Sequence, residues 1–134
     1  MSPALNTVPQ DDPVRVLMLK ALAAIRSDHF EDYFALFAED ALWMMPNAGQ
    51  DVNLAEARSF YRFTDKFRFD QTAKVDELVV SGDWAFARVS FDGYLRPKYD
   101  TSPPLRSISR HIWIMRRGPD GWRITRDIWN TPRE

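Results

Sequence analysis

From Asp70 to Asn130 the sequence is dominated by alternation. Four runs, DQTAKVDELVVS, DWAFARVSFDGYLRP, LRSISRHIWIMRR and GWRITRDIWN, exchange apolar and polar side chains nearly residue by residue. That is the period of a strand with one buried face. SGD joins the first two runs and GPDG the last two, both with hairpin chemistry. The segment PKYDTSPP between the second and third is long and proline-rich, and is expected to arch over one end of the sheet. Four such strands in succession form an antiparallel meander, and its apolar face must be covered by the rest of the chain.

The N-terminal half supplies that cover. DPVRVLMLKALAAIRS opens with Asp12 as N-cap and Pro13 at the first helical position. Its apolar stripe is Val14, Leu17, Met18, Ala21 and Ile25. DHFEDYFALFAED starts with Asp28 and, three residues on, Glu31, the spacing of a capping box. Phe30, Tyr33, Phe34 and Phe37 recur there at helical spacing, so a second helix is expected to end at AEDA, with Asp40 terminating it. ALWMMP reads as a short strand closed by Pro46, and NAGQDVN as a loop. Asn53 with Glu56 caps a third helix, LAEARSFYRFTDKF, with Ala57, Phe60, Tyr61 and Thr64 on one face. Residues 1–11 are Pro- and polar-rich and read as a flexible arm; residues 12–134 read as one domain. The layout is α+β: three N-terminal helices packed on a strongly curved antiparallel sheet, a cone-shaped α+β barrel with one open mouth.

Composition narrows the function classes. The chain has 134 residues, 45% hydrophobic and 13% aromatic, enough for one packed core. A net charge of −1 gives no overall pull toward nucleic acid or an acidic membrane, and no nucleic-acid-binding motif is present. One local bias exists. From Leu105 onward, Arg106, Arg110, Arg116, Arg117, Arg123, Arg126 and Arg133 face only Asp120, Asp127 and Glu134. Such a face either attracts an anionic ligand or a partner's carboxylates, or consists of solvated strand edges blunted by charge, the commoner case. With no cysteine, disulfides and thiolate metal sites are excluded, and two histidines, His29 and His111, are too few for a His-rich zinc site. The first residues lack the basic and apolar regions of a signal peptide, and no apolar run approaches the ~18 residues of a spanning helix. A cytoplasmic protein without membrane association, metal or cofactor is expected.

The succession of elements, with ALFAEDALWMMPNAG after the second helix and RHIWIMRRGPDGWRITRDIWN as the final hairpin, resembles the nuclear transport factor 2-like superfamily. Within it the sequence is most similar to SnoaL-like and ketosteroid-isomerase-like proteins, from Asp12 to Thr131. The resemblance implies the cone fold and a small-molecule pocket; it does not imply one activity, because the superfamily spans isomerases, dehydratases, cyclases, epoxide hydrolases and non-catalytic members. Steroid isomerases of this kind use a general-base aspartate before the proline that ends the first strand. A helix-one tyrosine and a protonated aspartate late in the sheet hold the oxyanion. Here those positions hold Met45, Ala21 and Arg110. A thioether abstracts no proton and a methyl donates no hydrogen bond, so the residues argue against that mechanism. His29, in the first turn of a helix, is a poor match to the second pocket histidine of a scytalone dehydratase.

SnoaL-like cyclases use an aspartate on the final strands as general acid/base with a histidine nearby, and Asp127 and His111 stand in those positions. The hairpin register decides whether they meet. If His111 lies opposite Asp127, both share a face with Trp113 and Thr125; a one-residue slip sends them to opposite faces, and the turn RGPDG does not fix which. They remain, at this level, an acid/base pair, ligand contacts without catalysis, or two ordinary strand residues with arginine partners. Trp43, Met45, Phe60, Phe63 and Phe67, with Trp113, are expected to line the pocket, and Tyr94 to reach its mouth with Arg88 and Tyr99. Trp84, Trp122 and Trp129 read as packing residues, and Tyr61 as a phenolic donor on helix three. The expected function is binding of a small apolar cyclic molecule, with cofactor-free acid/base catalysis of cyclase, isomerase or dehydratase type by Asp127 and His111. The alternative is a non-catalytic interaction module whose cone is filled by its own side chains. Either way the uncovered sheet face is expected to pair two copies into a homodimer.

Overall fold

The structure is a computed structural model that describes residues 8–133. Helix α1 (Pro13–Arg26) starts where the sequence places it: the Asp12 carboxylate accepts from the Val14 N–H at 2.8 Å. It buries Val14, Leu17, Met18, Ala21 and Ala24. Helix α3 (Leu54–Phe60) carries a complete capping box. The Asn53 side chain accepts from the Glu56 N–H at 2.9 Å, and Glu56 accepts from the Asn53 N–H at 3.1 Å. The remainder of the predicted third helix is a 3₁₀ turn, Tyr61–Asp65. Of the expected N-terminal arm, residues 1–7 lie outside the described residues. Val8 packs against the core, and its carbonyl accepts from Arg15.

The second helix departs from expectation. α2 covers only Phe30–Phe34, and its cap is His29, which makes no side-chain capping bond. Asp28 cannot serve as the cap because it sits in the left-handed region (φ 64°) with its carboxylate paired to Lys98. The aromatic stripe then breaks: Phe37 opens strand β1 (Phe37–Met44), so Asp40 lies within a strand rather than ending a helix. Tertiary partners override the helical spacing. Ile124 N–H donates to the Leu36 carbonyl at 3.0 Å, Arg126 donates to the Asp40 carbonyl at 3.1 Å, and Phe37 stacks on Trp43 at 4.4 Å. The Asp40 side chain pairs with Arg116 at 3.0 Å, which holds its carboxyl below the usual range.

Strands β2 (Val52–Asn53), β3 (Phe67–Ser81), β4 (Trp84–Pro97), β5 (Leu105–Gly118) and β6 (Gly121–Asn130) complete one curved, unclosed sheet in the order β2-β1-β6-β5-β4-β3. Every pairing is antiparallel except β1 with β6, which run parallel. Among the described residues, no helix is long and apolar enough to cross a membrane.

One irregularity in the final hairpin controls which side chains enter the cone. From the turn upward, Gly118 pairs with Gly121, Arg116 with Arg123 and Met115 with Ile124. Thr125 then has no partner of its own, and the ladder resumes with Ile114 opposite Arg126, Trp113 opposite Asp127 and His111 opposite Trp129. Had the turn register continued, Asp127 would stand opposite Ile112, on the outer face. The extra residue is a β-bulge, and it turns Asp127 inward. Arg126 secures it, donating from Nη1 to the Thr125 carbonyl at 2.7 Å and hydroxyl at 2.9 Å.

Curvature at the other end depends on Gly93 in β4. A Cβ there would stand 2.2 Å from the Asp70 carbonyl oxygen and 2.6 Å from the Gln71 Cα, so only glycine lets β3 approach this closely. We predict that Gly93→Ala costs about 3 kcal/mol, as backbone overpacking does. Gly49→Ala, which meets nothing within 4 Å, should stay within about 0.5 kcal/mol of wild type. Urea unfolding of the two variants checks this; equal stabilities would contradict it.

Candidate active site

The concave face of the sheet encloses a cavity of about 690 Å³, open at one end and within the size range of small-molecule sites. Rings from α2, α3, the 3₁₀ turn and the start of β3 form one wall: Phe30, Tyr33, Phe60, Tyr61, Phe63, Phe67 and Phe69. The opposite wall is Ser107, Ser109, His111 and Trp113 of β5, with Phe91 and Trp129 from the neighbouring strands. Phe60 and Leu105 are half exposed and mark the mouth, where Arg106 and Arg133 also stand; Tyr33 and Trp113 are fully buried at the inner end.

On the β5 wall lies a chain of three polar side chains. Asp127 is 0% exposed, and its Oδ1 is 2.7 Å from His111 Nδ1. His111 Nε2 is in turn 2.9 Å from Ser109 Oγ. Because a carboxylate only accepts, the ring meets Asp127 with an Nδ1–H, and in that tautomer the Nε2 lone pair is the acceptor for the serine hydroxyl. The imidazole is held on both sides, stacked on Trp129 (5.1 Å, 12°) and edge-on to Phe91 (5.1 Å, 75°). Asp127 has a tryptophan beside it on each neighbouring strand, Trp43 on β1 and Trp113 on β5. These rings exclude water from the carboxylate, so the histidine supplies the compensation that burial of a charge demands. The second carboxylate oxygen, Oδ2, is buried without a hydrogen-bond partner among the described residues.

Two phenols complete the inner end. Burial, above all, pushes the Tyr33 and Tyr61 hydroxyls above the ordinary phenol value of 10.0, and the negative charge of Asp127 pushes both further. Both phenols therefore stay un-ionised at neutral pH, hydrogen-bonded to one another.

The expected site residues divide in this geometry. His111, Trp113, Phe60, Phe63 and Phe67 line the cavity, and Tyr61 lines it as well. Asp127 stands one layer behind, reaching the cavity through His111. Trp43 is a core residue stacked on Phe37, and Met45 packs against the core rather than into the cavity. Tyr94 is on the outer face, between the guanidinium groups of Arg96 and Arg106 at 5.6 and 5.2 Å, because its parity in β4 is opposite to that of Phe91. His29 is exposed and bonded to Ser27. Ala21 lies in the core, and Arg110 bonds Asn130 at 2.9 Å, so neither supplies an isomerase group. Sequence reasoning missed Ser109, Tyr33 and Trp129. Ser109 could have been found: it is two residues before His111 on one strand and so shares its face. Among the described residues no three His, Cys, Asp or Glu side chains converge on a metal site.

Because the folded state keeps Tyr33 and Tyr61 protonated above the ordinary phenol value, it binds more protons than the unfolded chain once pH passes about 10. Stability is therefore predicted to fall as pH rises beyond that point. Tyr33→Phe and Tyr61→Phe should each flatten the decline in chemical unfolding between pH 9 and 11; an unchanged slope in both would contradict the burial of the phenols.

Comparison with known proteins agrees with this architecture. Several solved structures share the fold. A ketosteroid isomerase-like protein from Erwinia carotovora atroseptica matches with TM-score 0.79 and 19% identity over 97% of this chain and 100% of that one. A candidate scytalone dehydratase from Novosphingobium aromaticivorans matches with TM-score 0.72 and 17% identity over 90% and 83%. A nuclear transport factor 2-like protein from Cytophaga hutchinsonii matches with TM-score 0.71 and 17% identity over 92% and 99%. No match is found among curated proteins. The model of the SnoaL-like domain family matches residues 19–127, from the second half of α1 through both His111 and Asp127, and the chain belongs to that family.

Proposed function

We propose that this protein binds an apolar, cyclic small molecule in its aromatic cavity. His111, oriented by Asp127, moves a proton on that ligand without a cofactor. The observation that carries the reading is the bonded pair itself: a fully buried carboxylate whose hydrogen bond fixes the tautomer of an imidazole in the cavity wall. A base of this kind gives and takes a proton at one stated atom, Nε2, which here reaches the ligand through the Ser109 hydroxyl bonded to it. Cyclisation, isomerisation and dehydration each need such a shuttle beside an apolar substrate, and two un-ionised phenols opposite it are suited to hold a developing enolate oxygen. The competing reading, a cone filled by its own side chains, is disfavoured by the open volume and by Met45 packing elsewhere.

The proposal includes a two-fold dimer through the outer face of the sheet. Ile112 and Ile128 are direct cross-strand neighbours there, and are 41% and 36% exposed. An apolar pair in mid-sheet with no covering helix is what a second copy would bury. Light scattering should give twice the 15.6 kDa of one chain, and Ile112→Asp with Ile128→Asp should give one; a wild type that stays monomeric at high concentration contradicts the dimer.

The function is tested by thermal shift against a panel of apolar cyclic compounds, with Asp127→Asn run in parallel. A ligand at 100 times its Kd adds about 2.7 kcal/mol, a rise on the order of 10 °C for a domain of this size. Turnover of any ligand so found should drop at least about 100-fold in Asp127→Asn while the fold persists. Full activity in that variant removes Asp127 from the mechanism, and a panel without a single hit removes the ligand.

A further inference from the structure

We propose that Ser109 is a nucleophile, and that Ser109, His111 and Asp127 together hydrolyse carboxylic esters bearing an apolar, ring-sized acyl group. The inference depends on reading His111 as a base and gives Ser109 a covalent role beyond it.

The order of bonds is what activates a serine. Asp127 Oδ1 holds the Nδ1 proton at 2.7 Å, which leaves Nε2 to accept from the Ser109 hydroxyl at 2.9 Å. The arrangement recurs on unrelated folds and is recognised by geometry and roles rather than by chain order. Here two strands build it. Ser109 and His111 are two residues apart on β5, so strand period puts both inside, and the Thr125 bulge brings Asp127 behind them. With its Nε2 lone pair engaged, the imidazole acts on a ligand through the serine hydroxyl, and Ser109 itself lines the cavity. Tyr33 and Tyr61 line the same cavity, 2% and 8% exposed, with their hydroxyls hydrogen-bonded to one another, and the phenol proton that this bond leaves over is the donor for a tetrahedral oxyanion. Burial keeps both un-ionised.

In the acylation step, Ser109 Oγ attacks the ester carbonyl carbon while its proton passes to His111 Nε2. The tetrahedral intermediate collapses, the C–O bond to the alcohol breaks, and the alkoxide leaves with the Nε2 proton. Water then attacks the acyl-serine, giving its proton to Nε2; collapse releases the carboxylic acid and returns the proton to Ser109. No redox partner is required. The substrate class follows from the walls. They are aromatic, and Gln71 is already committed to Ser107, with Nε2 3.0 Å from its hydroxyl. Little remains to satisfy the donors and acceptors of a peptide, whereas an ester buries one carbonyl.

The test treats the protein with diisopropyl fluorophosphate and locates any adduct by peptide mass spectrometry. p-Nitrophenyl benzoate serves as substrate in parallel. The expected result is one adduct per chain, on Ser109, and cleavage that falls about 100-fold in Ser109→Ala and in Asp127→Asn, each checked for native circular dichroism. Because the chain has no cysteine, Ser109→Cys places a single thiol beside His111. Iodoacetamide should alkylate it about tenfold faster at pH 7 than free cysteine, since an adjacent imidazole favours the thiolate. No adduct on the folded wild type, an adduct elsewhere, or undiminished cleavage by Ser109→Ala overturns the proposal. Thermal shift with the apolar panel separates the two readings: ligand stabilisation without a Ser109 adduct sinks the nucleophile and leaves the binding reading standing. An adduct without any stabilisation supports the nucleophile and counts against the binding reading.

Discussion

The position of Asp127 depends on one unpaired residue. Strand period assigns every side chain of β6 to one face or the other, and the tight turn sets a register that would send Asp127 outward. Thr125 reverses the parity, and Arg126 ties the bulge down through the Thr125 carbonyl and hydroxyl. Inside the cone the carboxylate lies between strands that carry Trp43 and Trp113, out of reach of water, and the interaction that makes this tolerable is its bond to His111. The shielding that makes the carboxylate costly also strengthens its hold on the imidazole.

The rest of the molecule can be understood as support for that pair. Trp129 and Phe91 fix the ring plane of His111, and Gly93 lets β3 and β4 approach closely enough for the sheet to curve. Helices α1 and α2 close one side, and the rings of α2, α3 and the 3₁₀ turn form a wall that does not fill the space it faces. A polar chain at the inner end of an apolar cavity, with phenols opposite, suits proton transfer on a ligand that brings its own polar group. The steroid-isomerase positions carry Ala21, Met45 and Arg110, so the proposed chemistry rests on the final hairpin.

Much of this was legible in the sequence. The change of period near residue 70, the Asn53–Glu56 capping box and the Asp12–Pro13 helix start all appear in the structure because each is a local preference that nothing opposes. What stayed hidden depended on distant partners. The Phe30, Tyr33, Phe34 and Phe37 spacing looked helical throughout, but β6 draws residues 37–40 into a strand. Tyr94 reaches the outer face because of its parity in β4, not because of its type. The register of the last hairpin could not be read from GPDG, since the turn fixes the pairing only as far as Met115 and the bulge above it has no distinctive sequence. Ser109 was visible in principle, two residues from His111, once His111 was known to point inward.

The most direct test of the central claim is the state of the His111 ring, read by long-range proton–nitrogen NMR on uniformly labelled protein. With only His29 and His111 to separate, assignment needs a single His29→Gln control. The account predicts that neutral His111 is the Nδ1–H tautomer, with a proton protected from solvent exchange and lost in Asp127→Leu. An Nε2–H tautomer, or an Nδ1 proton in free exchange, would mean that Asp127 does not hold the imidazole, and the site as described would not exist.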